Sequence, residues 1–187
     1  GRGAGQQPRI PQQKERKSQM ANRTMPQVNG INTAGWEAFR NEVRKDSSVA
    51  DRQPTVTARW VGGSRSEVEF EGKTMHIGGD GDFNAMQAVL AALAACDVDL
   101  VALHAALLGL EVKDLRVEAT GHFNVQAYLG LEAPGSGYTG ISYRIILDSP
   151  GDSNEQIRLL RERIERSSHV GDYIGRSIQL TIKFNAN

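Results

Sequence analysis

From Ala85 to about Leu108 the chain reads AMQAVLAALAACDVDLVALHAALL, a segment without a wet face of normal width. At about a hundred degrees per residue, Val89, Leu93, Leu100, Leu103 and Leu107 crowd the side that carries Cys96. Leu90, Val101 and Leu108 cover the flank shared with Asp97 and His104. A helix apolar nearly all round has to be enclosed by other elements. A sheet can cover one side, and something else must cover the other. The alanines at 88, 91, 92, 94, 95, 102, 105 and 106 permit close approach of a second helix. One core drawn from 187 residues is thin cover for such a rod. The sequence therefore predicts a homodimer that packs two copies together. Asp97, Asp99 and His104 interrupt the stretch, which argues against a membrane span.

Cys96 is the chain's single cysteine, so no intrachain disulfide and no multi-cysteine zinc site is available. A thiol becomes nucleophilic as thiolate, which needs a positive charge, a helix N-terminus or a base nearby. Cys96 falls near mid-helix, where the dipole contributes little, and the carboxylate of Asp99 one turn on works against ionisation. Local chemistry leaves two readings open. Either Cys96 is a small core residue, or a basic group reaches it from elsewhere in the fold.

The flanking elements can be read from pattern. Gly1 to about Asn29 is rich in Gln, Pro and charge and is expected to be a disordered basic tail, with residues 30–187 as one domain. Up to Met25 its basic residues are Arg2, Arg9, Lys14, Arg16, Lys17 and Arg23, against Glu15 alone. The rest is mildly acidic, which excludes a nucleic-acid-binding core of the usual basic kind. No apolar leader opens the chain, and a cytoplasmic protein is expected. TAGWEAFRNEVRKD from Thr33 has helical spacing, with Thr33 as its cap. TVTARW from Thr55, SEVEF from Ser66 and KTMHI from Lys73 read as strands, the last two joined through Glu71-Gly72 as a hairpin. After the long helix come strands Val112 to Phe123 and Gly140 to Leu147. A helix follows to about Arg166, opened by a capping box of Ser153 and Gln156. SIQLTIKF, with Ile178, Leu180, Ile182 and Phe184 on one side, closes the chain as a last strand. The order βββ–α–ββ–α–β after a short leading helix gives an α+β fold.

His76, His104, His122 and His169 lack metal-ligand spacing, and no metal or cofactor is expected. DGDFN at Asp80 imitates the start of a calcium loop but has Ala85 in place of the turn glycine and Ala91 in place of the closing glutamate. Ser168-His169 do not build a nucleophile site by adjacency. Arg65, after Gly62-Gly63-Ser64, is either a solvated hairpin arginine or a charge carried inward.

The ordered set of LAALAAC, AALLGLEVKDLRVEATGHF and a later helix before an alternating strand resembles the OsmC/Ohr family, from about Thr55 to Phe184. GINTAGWEAFRNEV and YLGLEAPGSGY look closer to a subgroup of OsmC-like proteins than to its peroxidases. The resemblance implies an intertwined α+β homodimer, its antiparallel and mixed sheets wrapped around the long buried central helices. In the family's peroxidases a first cysteine on this helix attacks the hydroperoxide, supported by an arginine from a glycine-containing turn and a glutamate near the helix start. A second cysteine then forms a disulfide that a dithiol, often a lipoyl group, reduces.

Carried over, Cys96 takes the peroxidatic position and Arg65 is the best candidate for the arginine, with Arg59 competing. Met86 stands where the glutamate would be, which leaves the arginine without that acid. Ser168 falls at the second cysteine and His169 at the proline after it. A two-cysteine cycle within one subunit therefore cannot run. The sulfenic acid formed on Cys96 would need an external thiol reductant. Two functions follow as expectations. One is thiol-dependent reduction of an organic hydroperoxide in a stress-related redox role. The other is a non-catalytic dimer holding a small hydrophobic ligand in a cleft lined by Cys96, Met86, Asp99, Ser168 and His169. Neither a nucleic acid nor a membrane is expected as partner.

Overall fold

The computed structural model describes residues 27–151, 154–176 and 180–183. A helix α1 (Thr33–Lys45) and a 3-10 turn (Ser47–Ala50) lead into strands β1 (Thr57–Trp60), β2 (Ser66–Phe70) and β3 (Lys73–Ile77). The central helix α2 (Ala85–Leu107) precedes β4 (Asp114–His122) and β5 (Gly140–Asp148), and α3 (Asn154–Ser167) and α4 (His169–Gly175) follow. The α+β class holds.

The hairpin of β2 and β3 turns through Glu71 and Gly72, both at positive φ, as a two-residue turn matched to strand twist requires. β1 pairs antiparallel with β2, which makes one three-stranded sheet. β4 and β5 pair antiparallel from Asp114↔Asp148 to His122↔Gly140 as a separate sheet. Strict alternation of exposed and half-buried residues along β4 shows that one face meets the core.

The start of α2 carries a signal the sequence reading passes over. Asn84 accepts from the Gln87 amide at 2.8 Å and the Gln87 side chain accepts from the Asn84 amide at 3.0 Å, a capping box that fixes the first turn. At the other end Gly109, at φ 73°, reverses the chain. The amides of Gly109 and Leu110 donate back to the carbonyls of Ala106 and Ala105, which satisfies the helix end and drives Leu110 into the core. Asn29 clasps the same reversal, donating to the Leu110 carbonyl at 3.0 Å and accepting from the Val112 amide at 2.9 Å. This residue of the expected tail is thus tied to the core.

The core joins Val101, Ala105 and Leu110 to Leu160 and Ile164 of α3, with Leu115, Ile145 and Leu147 of the β4–β5 sheet packed against them. Within α2 the fully covered residues are Leu93, Asp97, Val101, Ala105 and Ala106. The enclosed stripe therefore runs at spacing four through Asp97, not along the Cys96 side that the wheel shows as richest in leucine. Cys96, Leu100, Leu103 and Leu107 stay half-buried, and Val89 and Val98 are exposed. Cover on the second side is what a single chain lacks. By length and composition α2 also meets the requirement for crossing a membrane, with a mean hydropathy of 1.8. What sets it apart is Asp97, which faces α3 and α4 of its own chain.

In the last third the helix ends at Ser167, close to the expected Arg166, and a further short helix, α4, follows it, because the Ser168 side chain accepts from the Gly171 amide and caps a new turn. Of the expected last strand, residues 180–183 form no strand, and Leu180 and Ile182 are 82% and 80% exposed. No neighbouring strand is paired with them among the described residues. Ile178 and Phe184 lie outside the described residues, as does Ser153 of the expected capping box.

Candidate functional site

Cys96 is a free, half-buried thiol on the open side of α2. Asp99, one turn on, is exposed, and so is His169 at the first position of α4. Met86 lies half-buried in the first turn of α2, where its carbonyl accepts from the Tyr138 hydroxyl at 2.5 Å. Tyr138 reaches it by lying over Gly121, whose missing side chain leaves room for the ring, and its edge meets Phe123 at 5.3 Å.

Arg65 is not beside Cys96 within one chain. Its Nε donates to the Asp82 carboxylate at 3.0 Å, two residues before the helix cap, and its side chain runs along Gly79. A Cβ on Gly78 would fall 2.0 Å from the Ser64 carbonyl, so only glycine lets this loop close on the β1–β2 turn. From Ala85 to Cys96 the helix advances about 16 Å along its axis. The competing Arg59 is held across the sheet by Glu67 at 2.6 Å, and that arginine draws the Glu67 carboxyl below its ordinary range. One part of the sequence reading is corrected here: with Met86 at the expected acid position, the arginine still has a carboxylate partner, supplied by Asp82 from the loop.

The residue that sequence reasoning missed is Asp97. It counts there as an interruption of the apolar run, yet it is 0% exposed, and its Oδ1 accepts from the Ser168 hydroxyl at 2.6 Å. The available signal is positional, an acid sharing the spacing-four stripe of Leu93 and Val101. The structure thus brings Ser168 onto the covered stripe of α2 at Asp97, whereas Cys96 faces the open side. Tyr143 on β5 lies beside the same buried carboxylate, and its phenol is raised by burial first, then by the charges of Asp97 and Glu165 and by a hydrogen bond to Asp97. Two turns on along the same flank, His104 is held below its ordinary value, by burial first and then by Arg163 and Arg40.

The fold and site define an α+β protein whose central helix presents one unpaired thiol on an uncovered apolar side and locks a buried acid on the other. Residues 78–183, more than half of the chain, match the family described as OsmC-like protein, and the chain belongs to that family. Its fold is similar to that of an OsmC-like protein from Mycoplasma pneumoniae, at a TM-score of 0.57 and 18% identity over 67% of this chain and 89% of that one. It is also similar to an OsmC-like protein of unknown function from Vibrio cholerae, at a TM-score of 0.50 and 10% identity over 65% of this chain and 93% of that one. No curated protein matches the sequence.

Proposed function

We propose that the protein is a soluble, cytoplasmic homodimer that reduces organic hydroperoxides at Cys96 with an external dithiol. The observation that carries this reading is the Arg65–Asp82 pair, which sets an arginine beside the start of an apolar helix. Within one chain that arginine is a long way from Cys96. A second copy laid along the open side of α2 brings its own helix start, and its own Arg65, toward the thiol. The same packing covers Val89 and the half-buried Leu100, Leu103 and Leu107 on that side.

In the step proposed, the Cys96 thiolate attacks the distal oxygen of the hydroperoxide. The O–O bond breaks, the alcohol leaves with a proton, and Cys96 becomes a sulfenic acid. One thiol of an external dithiol then displaces water to form a mixed disulfide. Its second thiol releases reduced Cys96 and leaves as a disulfide. Ser168 takes no redox part, since a hydroxyl cannot form a disulfide; its hydroxyl is bonded to Asp97 instead.

The test is consumption of cumene hydroperoxide with dihydrolipoamide, alongside the pH dependence of Cys96 alkylation. Turnover lost in Cys96→Ser, strongly reduced in Arg65→Met, and a thiol titrating well below about 8.5 are the expected results. A Cys96 that resists alkylation at neutral pH, with no peroxide consumed, would leave the non-catalytic ligand-binding dimer as the function. A monomer by light scattering would remove both.

A further inference from the structure

Ahead of α1 the chain turns through Asn29-Gly30, closed by the Ile31 amide donating to the Val28 carbonyl at 3.0 Å. Both turn residues are left-handed, Asn29 at φ 56° and Gly30 at φ 72°, the conformation that selects asparagine followed by glycine. Nowhere else in the chain does a glycine follow an asparagine. The pair has a reactivity of its own, since asparagine is a thermally labile residue. No side chain at position 30 blocks approach to the Gly30 nitrogen, and its N–H has no hydrogen-bond partner among the described residues. It stands one residue from the Asn29 carboxamide carbon, Cγ, and attack there closes a five-membered ring.

The clasp favours that attack. The Val112 amide donates to Asn29 Oδ1 at 2.9 Å, where negative charge gathers as Cγ becomes tetrahedral. In the step, the Gly30 nitrogen gives its proton to solvent and bonds to Cγ. The Cγ–Nδ2 bond breaks, and Nδ2 takes a proton from solvent and leaves as ammonia. Water then opens the succinimide. Opening at Cγ leaves aspartate, whereas opening at the backbone carbonyl leaves isoaspartate, with the main chain running through the side-chain carbon. The sum is carboxamide and water to carboxylic acid and ammonia.

Once ionised, either product only accepts hydrogen bonds. The bond that Asn29 donates to the Leu110 carbonyl at 3.0 Å is lost, and a negative charge faces that oxygen. Little else holds α1: none of its residues is buried, and it touches α2 only lightly.

We propose that Asn29 is a self-modification site, deamidated in the folded protein with water as its only co-reactant, and that the product unlatches α1 from the core. The proposal is independent of the thiol chemistry, because neither Cys96 nor a second copy enters it. Peptide mass spectrometry of the full chain, incubated at mildly alkaline pH with and without urea, tests it. The expected result is conversion at Asn29 at least tenfold faster than at Asn41 or Asn124, with the native rate within tenfold of that in urea. Hydroxylamine should trap the succinimide by cutting the chain after Asn29, and Gly30→Ala should slow conversion at least tenfold. Asn29→Asp supplies a product directly. It should lower the urea midpoint and speed tryptic cutting after Arg40 and Arg44 at least fivefold. A native chain that keeps Asn29 while the unfolded chain converts it overturns the proposal, as does Asn29→Asp with an unchanged midpoint and tryptic rate.

Discussion

Ser168→Ala removes two interactions with one oxygen, and the structure allows the cost to be worked out. The hydroxyl donates to Asp97 Oδ1 at 2.6 Å and accepts from the Gly171 amide at 3.2 Å as the cap of α4. Replacing a serine cap by alanine typically costs about 1 kcal/mol. Leaving a buried acceptor without its donor adds about 1–3 kcal/mol. Tyr143 lies beside the same carboxylate and offers a partial substitute, which places the loss below the upper limit. The expected loss is about 3 kcal/mol, which for a domain of this size lowers Tm by roughly 6–12 °C. Urea unfolding followed by circular dichroism measures it. A double-mutant cycle with Asp97→Ala isolates the pair, with a coupling of about 1–3 kcal/mol expected for residues in direct contact. Loss below 0.5 kcal/mol in Ser168→Ala, or strict additivity in the cycle, would refute the claim that this bond fastens the α3–α4 junction to α2.

Gly121→Ala places a Cβ 2.4 Å from the Tyr138 ring, which must swing away and give up the Met86 carbonyl; a loss of about 1–3 kcal/mol in thermal or urea unfolding checks this. Leu110→Ala empties a fully buried position in the main core and should cost about 2–5 kcal/mol by the same measurement. For His104 the folded value lies below the ordinary 6.5, so the unfolded chain takes up the proton first as pH falls. Stability is thus retained above pH 6.5 and drops as pH falls from there through the folded value. His104→Gln should flatten that drop when urea midpoints are compared between pH 7.5 and 5.5.

Much of this architecture is legible in the sequence. The period-two runs of β2, β3, β4 and β5 and the Glu71-Gly72 turn specify their strands locally, because alternation and positive φ are properties of a few adjacent residues. The all-apolar α2 is equally plain. Which side of it one chain covers is not, since that depends on where α3 lands, and α3 follows Asp97 and Ser168 rather than the densest leucine face. The Asp82 partner of Arg65 escapes a reading by family position, because loop geometry and three glycines deliver the acid from outside the expected slot. The break at Ser168 is hidden for a similar reason: a serine between two helical stretches becomes a cap only when a buried acid holds it in place.

The Asn29 clasp has a kinetic corollary. Its two hydrogen bonds join residues separated by 81 and 83 positions along the chain. During synthesis this asparagine emerges long before the carbonyl and amide it will hold, and closing so large a loop is entropically slow. Both bonds need the Leu110 carbonyl and the Val112 amide held side by side, so the clasp can close only on a bend that its own glycine has already turned.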